Sequence, residues 1–185
     1  MPNHTYLGYT FEGCTDGDVV PHSQRDNTVV VYAKRVNHFH TVDTWPSVLY
    51  SAASNATGLS FVTTASHDDD SRKNGQELPP GLSSAGYMQK KDYDLMVGKA
   101  KVMLGMGKPT ISPSPYAALC QGTPVILPYH SGEQYPKGWD MFGLGHQHAI
   151  AASLGPPYTY SLSVHAPLEE IIETIKTASE SEIGR

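Results

Sequence analysis

The sequence predicts one α/β domain, a Rossmann-like parallel sheet flanked by helices. Strand-like and helix-like stretches alternate about five times along the chain, the pattern of a parallel sheet wound with helices. Residues 28–33, TVVVYA, form an unbroken run of β-formers with no polar alternation, as expected of a strand covered on both faces. The 185 residues suffice for one substantial core.

Taken in order, residues 4–12 (HTYLGYTFE) hold β-formers and predict a first or edge strand. Residues 13–27 are polar and read as a loop. After the 28–33 strand, Thr44 is placed to cap a helix over 45–54, with Pro46 in its first turn and Gly58 as its stop. Residues 59–64 predict a strand, 65–81 a loop carrying Asp68, Asp69 and Asp70, and 82–88 a further strand. Tyr93, Met96, Val97 and Ala100 recur at helical spacing and predict an amphipathic helix over 89–100. The apolar run 102–104 then leads into Gly105 and Gly107. Ser114 reads as an N-cap with Pro115 at the first helical position, the helix running over 116–121 to Gly122, and 125–127 begin another buried strand. Residues 129–145 read as a long loop, 146–154 as a helix stopped by Gly155-Pro156-Pro157, and 158–164 as the last strand. Leu168, Ile171, Ile172 and Ile175 give the closing helix, 166–179, one apolar stripe, and Glu169 and Glu170 favour its N-terminus.

The composition narrows the function classes. A net charge of −5, with 13 basic against 18 acidic residues in no basic cluster, argues against nucleic acid as a partner. No apolar run approaches the length of a membrane span, and no signal peptide or anchor is expected. Cys14 and Cys120 allow one bridge or two buried thiols, and the thiols are the preferred reading. Asn3-His4-Thr5 and Asn55-Ala56-Thr57 match the glycosylation acceptor pattern.

The stretch around which the chemistry is expected is 101–128, KVMLGMGKPTISPSPYAALCQGTPVILP. A strand feeding a glycine turn and a helix start gathers backbone N–H groups and suits a phosphate; the same pattern also serves as a plain tight β–α connection. Lys34 and Arg35 stand where the TVVVYA strand ends, the edge where ligands of open α/β sheets collect. They read as partners for a diphosphate or as a solvated strand end. His38 and His40 would share a face on a strand, but no ligand at metal spacing completes them. The three aspartates read as a solvated run rather than a cation site. For bond hydrolysis the candidate carboxylates are Glu12 and Glu133, each otherwise a surface residue. Tyr116, Tyr129, Tyr135 and Trp139 are candidate sugar-stacking rings or packing residues.

Beyond this local reading, YLGYTFE, VVVYAKR, LSSAGYMQKKDYDLMVGKAKVMLGMGKP, SPSPYAALCQGTPVILP and QHAIAASLGPPYTYSLSV occur in an order that resembles the C-terminal, donor-binding half of family 18 glycosyltransferases. These are the β-1,6-N-acetylglucosaminyltransferases V that branch N-glycans. The core of the likeness is G-x-P-x-x-x-P-x-P, here Gly107, Pro109, Pro113 and Pro115. The resemblance implies that residues 1–185 are one half of a GT-B fold and that the activity is of hexosyltransferase type. The implied substrate is UDP-N-acetylglucosamine, used with no metal or cofactor in the secretory pathway. Carried over by position, the donor site would comprise Lys34, Arg35, Gly105, Gly107, Lys108, Ser112, Ser114, Tyr116 and Lys137. The chain departs from the family where glutamates orient the nucleotide ribose: Ile111 and Ala117 stand there. The resemblance covers only the donor-binding half, and the family's acceptor site and catalytic base belong to the other half. Whether the chain transfers a sugar is therefore left open. The alternatives are a non-catalytic glycan- or nucleotide-binding module, lectin-like or toxin-like, and a glycosidic or N-glycosidic hydrolase.

Overall fold

A computed structural model describes residues 19–130 and 147–183. Six strands, β1 (Asp26–Tyr32), β2 (Ser60–Thr63), β3 (Leu82–Ser84), β4 (Ala100–Gly105), β5 (Val125–Tyr129) and β6 (Thr159–Ser163), form one sheet in the order β3-β2-β1-β4-β5-β6. Every adjacent pair is parallel. This is the doubly wound Rossmann order, in which the winding reverses between β1 and β4.

The β-branched run explains why β1 is central. Val29, Val31 and Ala33 face one apolar layer and Val30 and Tyr32 the other, all nearly inaccessible to water. β4 and β5 divide in the same way, with Leu104 and Ile126 toward the first layer and Met103 and Leu127 toward the second. Each such side chain contributes about 2 kcal/mol by leaving water, so a slip of one residue is costly on both faces.

The first layer is closed by α1 (Leu49–Thr57) and α6 (Leu168–Glu180), which pack on each other. Leu49, Tyr50 and Ala53 meet Ile171, Ile175 and Ala178 there. Edge-to-face contacts of Tyr50 with Phe39 and Phe61 extend it. The second layer is closed by α3 (Lys90–Lys99), α4 (Ser114–Cys120) and α5 (Ala149–Ala152), through Val97, Ala118, Ala151 and Ala152.

Several boundaries differ from the sequence reading. The helix expected over 45–54 begins at Leu49, because Trp45 turns inward and its indole Nε1 donates to Gly105 O at 2.7 Å. Gly58 ends it as expected, with φ of 73°. The loop expected over 65–81 contains a helix, α2 (Asp69–Lys73), capped by Asp68 and Ser71, which bond to each other's backbone N–H. The strand expected over 82–88 stops at Ser84, and the helix expected over 146–154 is a single turn. His38 and His40 lie in a 3-10 turn, Val36–His40, and not on a strand. The free-thiol reading of Cys120 is corrected: Cys120 is disulfide-bonded. The strand expected over 4–12, Cys14, and the 131–145 part of the long loop lie outside the described residues. Among the described residues no helix is long and apolar enough to cross a membrane.

Candidate functional site

The site begins at the carboxyl ends of β1 and β4, which pair up to Tyr32 beside Gly105. Connections leave these two strands toward opposite edges of the sheet, so a crevice opens between them. β1 continues through Lys34 and Arg35, and Ser66 bonds to both sides of that step: Ser66 N donates to Lys34 O at 3.2 Å, and Val36 N to Ser66 O at 3.0 Å. The two cations are thus held by backbone pairing. β4 continues through Met106, Gly107 and Lys108 into a cis peptide at Pro109.

Lys34 and Arg35 line an open hollow of about 570 Å3 with Asp68 and Arg72. Arg35 Nη1 stands 3.9 Å from Asp68 Oδ2. Asp68 is primarily a helix cap: its Oδ1 accepts the Ser71 N–H at 2.8 Å, which, with the nearby Arg35, holds the carboxyl below its usual range. The cap accounts for Asp68, and Asp69 and Asp70 stand in the first turn of α2, where acidic side chains are favoured. Among the described residues no three His, Cys, Asp or Glu side chains converge as metal ligands.

Burial first, then the charges of Lys108, Arg35 and Lys34, hold His38 below the usual imidazole range, with Asp68 acting the other way. Charges from the ends of two strands thus act on one half-buried ring. Its companion His40 is otherwise engaged, Nε2 lying 2.8 Å from Glu77 O.

The glycine turn is built differently from an anion cradle. Gln147, at the start of the segment leading to α5, reaches across it: Oε1 accepts the Gly107 N–H at 3.1 Å and Nε2 donates to Pro109 O at 2.9 Å. The next residue fastens the same loop, His148 N donating to Thr110 O at 3.0 Å. A side chain on Gly105 would overlap Gln147 Oε1, so that glycine is required by packing. Gly107 has φ of 78°, the left-handed region that favours glycine.

Ser114 is not the N-cap. It is the first residue of α4, and its N–H is accepted by Ser112 Oγ at 3.2 Å. Ser112 is buried and Ser114 half-buried, and the two hold each other within the loop. The Tyr32 hydroxyl, on a side chain 4% exposed, and the Tyr93 hydroxyl are buried beside this serine pair. Burial raises both phenols; Ser112 and Ser114 act the other way on Tyr32, and Ser114 alone does so on Tyr93. Tyr116 packs its ring edge-on to His148 at 5.8 Å, which makes it a packing residue as much as a ligand platform.

The structure brings Lys34 and Arg35 to one hollow and places Lys108 on the connection that leaves β4, where Gly107 and Ser114 are bonded to the protein's own side chains. Glu12, Glu133, Lys137, Tyr135 and Trp139 lie outside the described residues. Sequence reasoning missed Gln147, Trp45 and Arg25. Gln147 and Trp45 act through contacts distant in sequence and carry no local signal. Arg25 is buried and donates to Val20 O, Ala100 O, Thr123 Oγ1 and Gln121 O, tying the entrance of β1 to the α4–β5 turn. Its place, just before a buried strand, was the only clue.

No protein-family model matches the chain, and no curated protein matches it in sequence.

Proposed function

We propose that the chain binds a nucleotide sugar of the UDP-N-acetylglucosamine type, holding the diphosphate at the carboxyl ends of β1 and β4. The observation that supports this reading is the placement of Lys34 and Arg35 on one hollow at the end of β1, with Lys108 on the connection that leaves β4, at the switch point of a Rossmann-ordered sheet. A diphosphate diester carries two negative charges, and cations from two strand ends can meet both. The choice of nucleotide rests on the motif resemblance to family 18 glycosyltransferases. A disulfide at Cys120 suits the oxidising compartments in which such sugars are used on glycans.

Binding, and not transfer, is the activity proposed for this chain. Ile111, 49% exposed on the loop, and Ala117 cannot accept hydrogen bonds from ribose hydroxyls. Asp68, the acid beside the cations, has its Oδ1 committed to the cap of α2. One observation favours a second reading, a glycan-binding module without nucleotide: the Gly107 N–H, which an anion would need, is taken by Gln147.

Calorimetry separates the two. UDP-N-acetylglucosamine binding at millimolar concentration or tighter, weakening as salt rises, supports the nucleotide-sugar reading. Heat from free N-glycans with none from UDP-N-acetylglucosamine or UDP supports the second.

A further inference from the structure

The acceptor pattern Asn55-Ala56-Thr57 has no part in the proposed function. It falls on the last turn of α1, just before the left-handed Gly58 that ends the helix. α1 turns Leu49, Tyr50 and Ala53 into the core. Asn55 and Ala56 stand on the outer side and are exposed. The middle residue is not proline, which the pattern forbids.

Two further observations bear on this site. Cys120 is disulfide-bonded, and such bonds persist in oxidising compartments, among them the one where oligosaccharides are transferred to asparagine. The folded helix, however, closes the pattern. Thr57 Oγ1 donates to Ala53 O at 2.6 Å and accepts the Leu59 N–H at 3.2 Å, so the hydroxyl that completes the pattern is committed to the helix end. Early in synthesis this closure is absent. α1 has 9 residues, and an isolated helix shorter than about 12–15 residues is marginal in water. Its packing partner α6 begins only at Leu168, a length of chain that takes on the order of ten seconds to synthesise.

The location also leaves the rest of the molecule clear. Because β1 and β2 are parallel, α1 returns from the carboxyl end of β1 to the amino end of β2. Asn55, shortly before Ser60 opens β2, therefore stands at the end of the sheet opposite the hollow lined by Lys34 and Arg35.

We propose that Asn55 carries an N-linked glycan, attached before α1 closes on α6. This is independent of the nucleotide-sugar reading. The donor is an oligosaccharide carried on a polyprenyl diphosphate, and the catalyst is a separate transferase. Nδ2 of Asn55 forms a bond to the anomeric carbon, and the bond from that carbon to the diphosphate oxygen breaks. The lipid diphosphate leaves, and the amide gives up one proton to a base of the transferase. Nothing is oxidised or reduced. In the folded protein the glycan lies on the outer side of α1.

The test is to make the chain in eukaryotic cells behind an appended secretion signal and to treat the product with peptide N-glycosidase in heavy-oxygen water. The expected result is loss of an N-glycan and a heavy-oxygen label at Asn55, located by fragment-ion mass spectrometry. Asn55→Gln, which changes only an exposed side chain, and Thr57→Ala are expected to lose that glycan. Thr57→Ser keeps the hydroxyl and is expected to retain it. Asn3→Gln removes the other matching pattern and is expected to leave the Asn55 glycan in place. Translation into microsomes reads the same site without secretion. There Asn55 is expected to be modified during synthesis, whereas the completed, folded chain offered to the same membranes opened with detergent is expected to stay unmodified. Unlabelled Asn55, or a product mass unchanged by Asn55→Gln, overturns the site. Equal modification of the completed, folded chain overturns the early attachment.

Discussion

Gln147 Oε1 accepts a hydrogen bond from the backbone N–H of Gly107 at 3.1 Å, and the same amide donates to Pro109 O at 2.9 Å. One side chain therefore sets the conformation of the turn that presents Lys108. Gln147→Ala leaves a donor and an acceptor without partners. Its expected cost is about 2 kcal/mol, read as a lower urea midpoint with an unchanged slope. Affinity for UDP-N-acetylglucosamine is expected to fall as well, because Lys108 loses its fixed position.

Gly105→Ala tests the same contact from the other side. The new methyl would overlap Gln147 Oε1 and stand 2.8 Å from Pro128 Cδ and 3.0 Å from Ile126 O. Backbone and ring on two sides leave little room to yield. An overpacking cost of about 2 kcal/mol is expected, measured by chemical denaturation.

The division between scaffold and site was only partly legible in the sequence. TVVVYA announced a strand buried on both faces, and Val29 to Tyr32 of β1 are buried on both, because this run of β-formers has no polar face to show. Lys34 and Arg35 were legible as cations at a strand end, and Lys108 only through the family resemblance. The α2 helix was hidden behind its aspartates, although Asp68 and Ser71 at capping spacing, with Arg72 and Lys73 at the far end, carried the signal. Gly105 and Gly107 looked like a ligand cradle because glycine in a turn reads alike whether a phosphate or a glutamine fills the space. That distinction depends on Gln147, forty residues from Gly107 in sequence, and no local pattern encodes it.

Arg25 anchors the opposite end of the sheet. Its guanidinium donates at 2.7 Å to Gln121 O, 2.8 Å to Thr123 Oγ1, 3.1 Å to Ala100 O and 3.0 Å to Val20 O. Arg25→Met keeps much of the volume but leaves these acceptors unpaired. It is expected to cost about 3 kcal/mol, with ligand affinity unchanged in the fraction that remains folded, since Arg25 lies at the amino end of the strands.

The pH dependence of stability carries a signature of His38. Its folded-state value lies below the ordinary imidazole value, so between the two the unfolded chain binds a proton that the native protein does not. Stability contributed by the neutral ring is present above the ordinary value of about 6.5 and is lost as pH falls through that window. Asp68, held low by its cap, contributes stability above the ordinary carboxylate value that is lost at more acid pH. Urea midpoints measured from pH 7.5 to 5 are therefore expected to decline in the unsubstituted protein and to decline less in His38→Gln.

The three cations are expected to be separable from stability. Lys108→Gln, Arg35→Gln and Lys34→Gln each remove one positive charge from the proposed diphosphate site. Each is expected to weaken UDP-N-acetylglucosamine about fivefold to tenfold, of the order of 1 kcal/mol, and to flatten the dependence on salt. Stability is expected to change by less than about 0.5 kcal/mol for Lys108 and Lys34.

The most direct test of the crevice as a diphosphate site is titration of UDP-N-acetylglucosamine into the unsubstituted protein and into the triple variant Lys34→Gln, Arg35→Gln, Lys108→Gln at low ionic strength. The expected result is saturable, salt-sensitive binding at millimolar concentration or tighter that disappears in the triple variant. No binding to the unsubstituted protein, or binding that survives removal of all three cations, would contradict it.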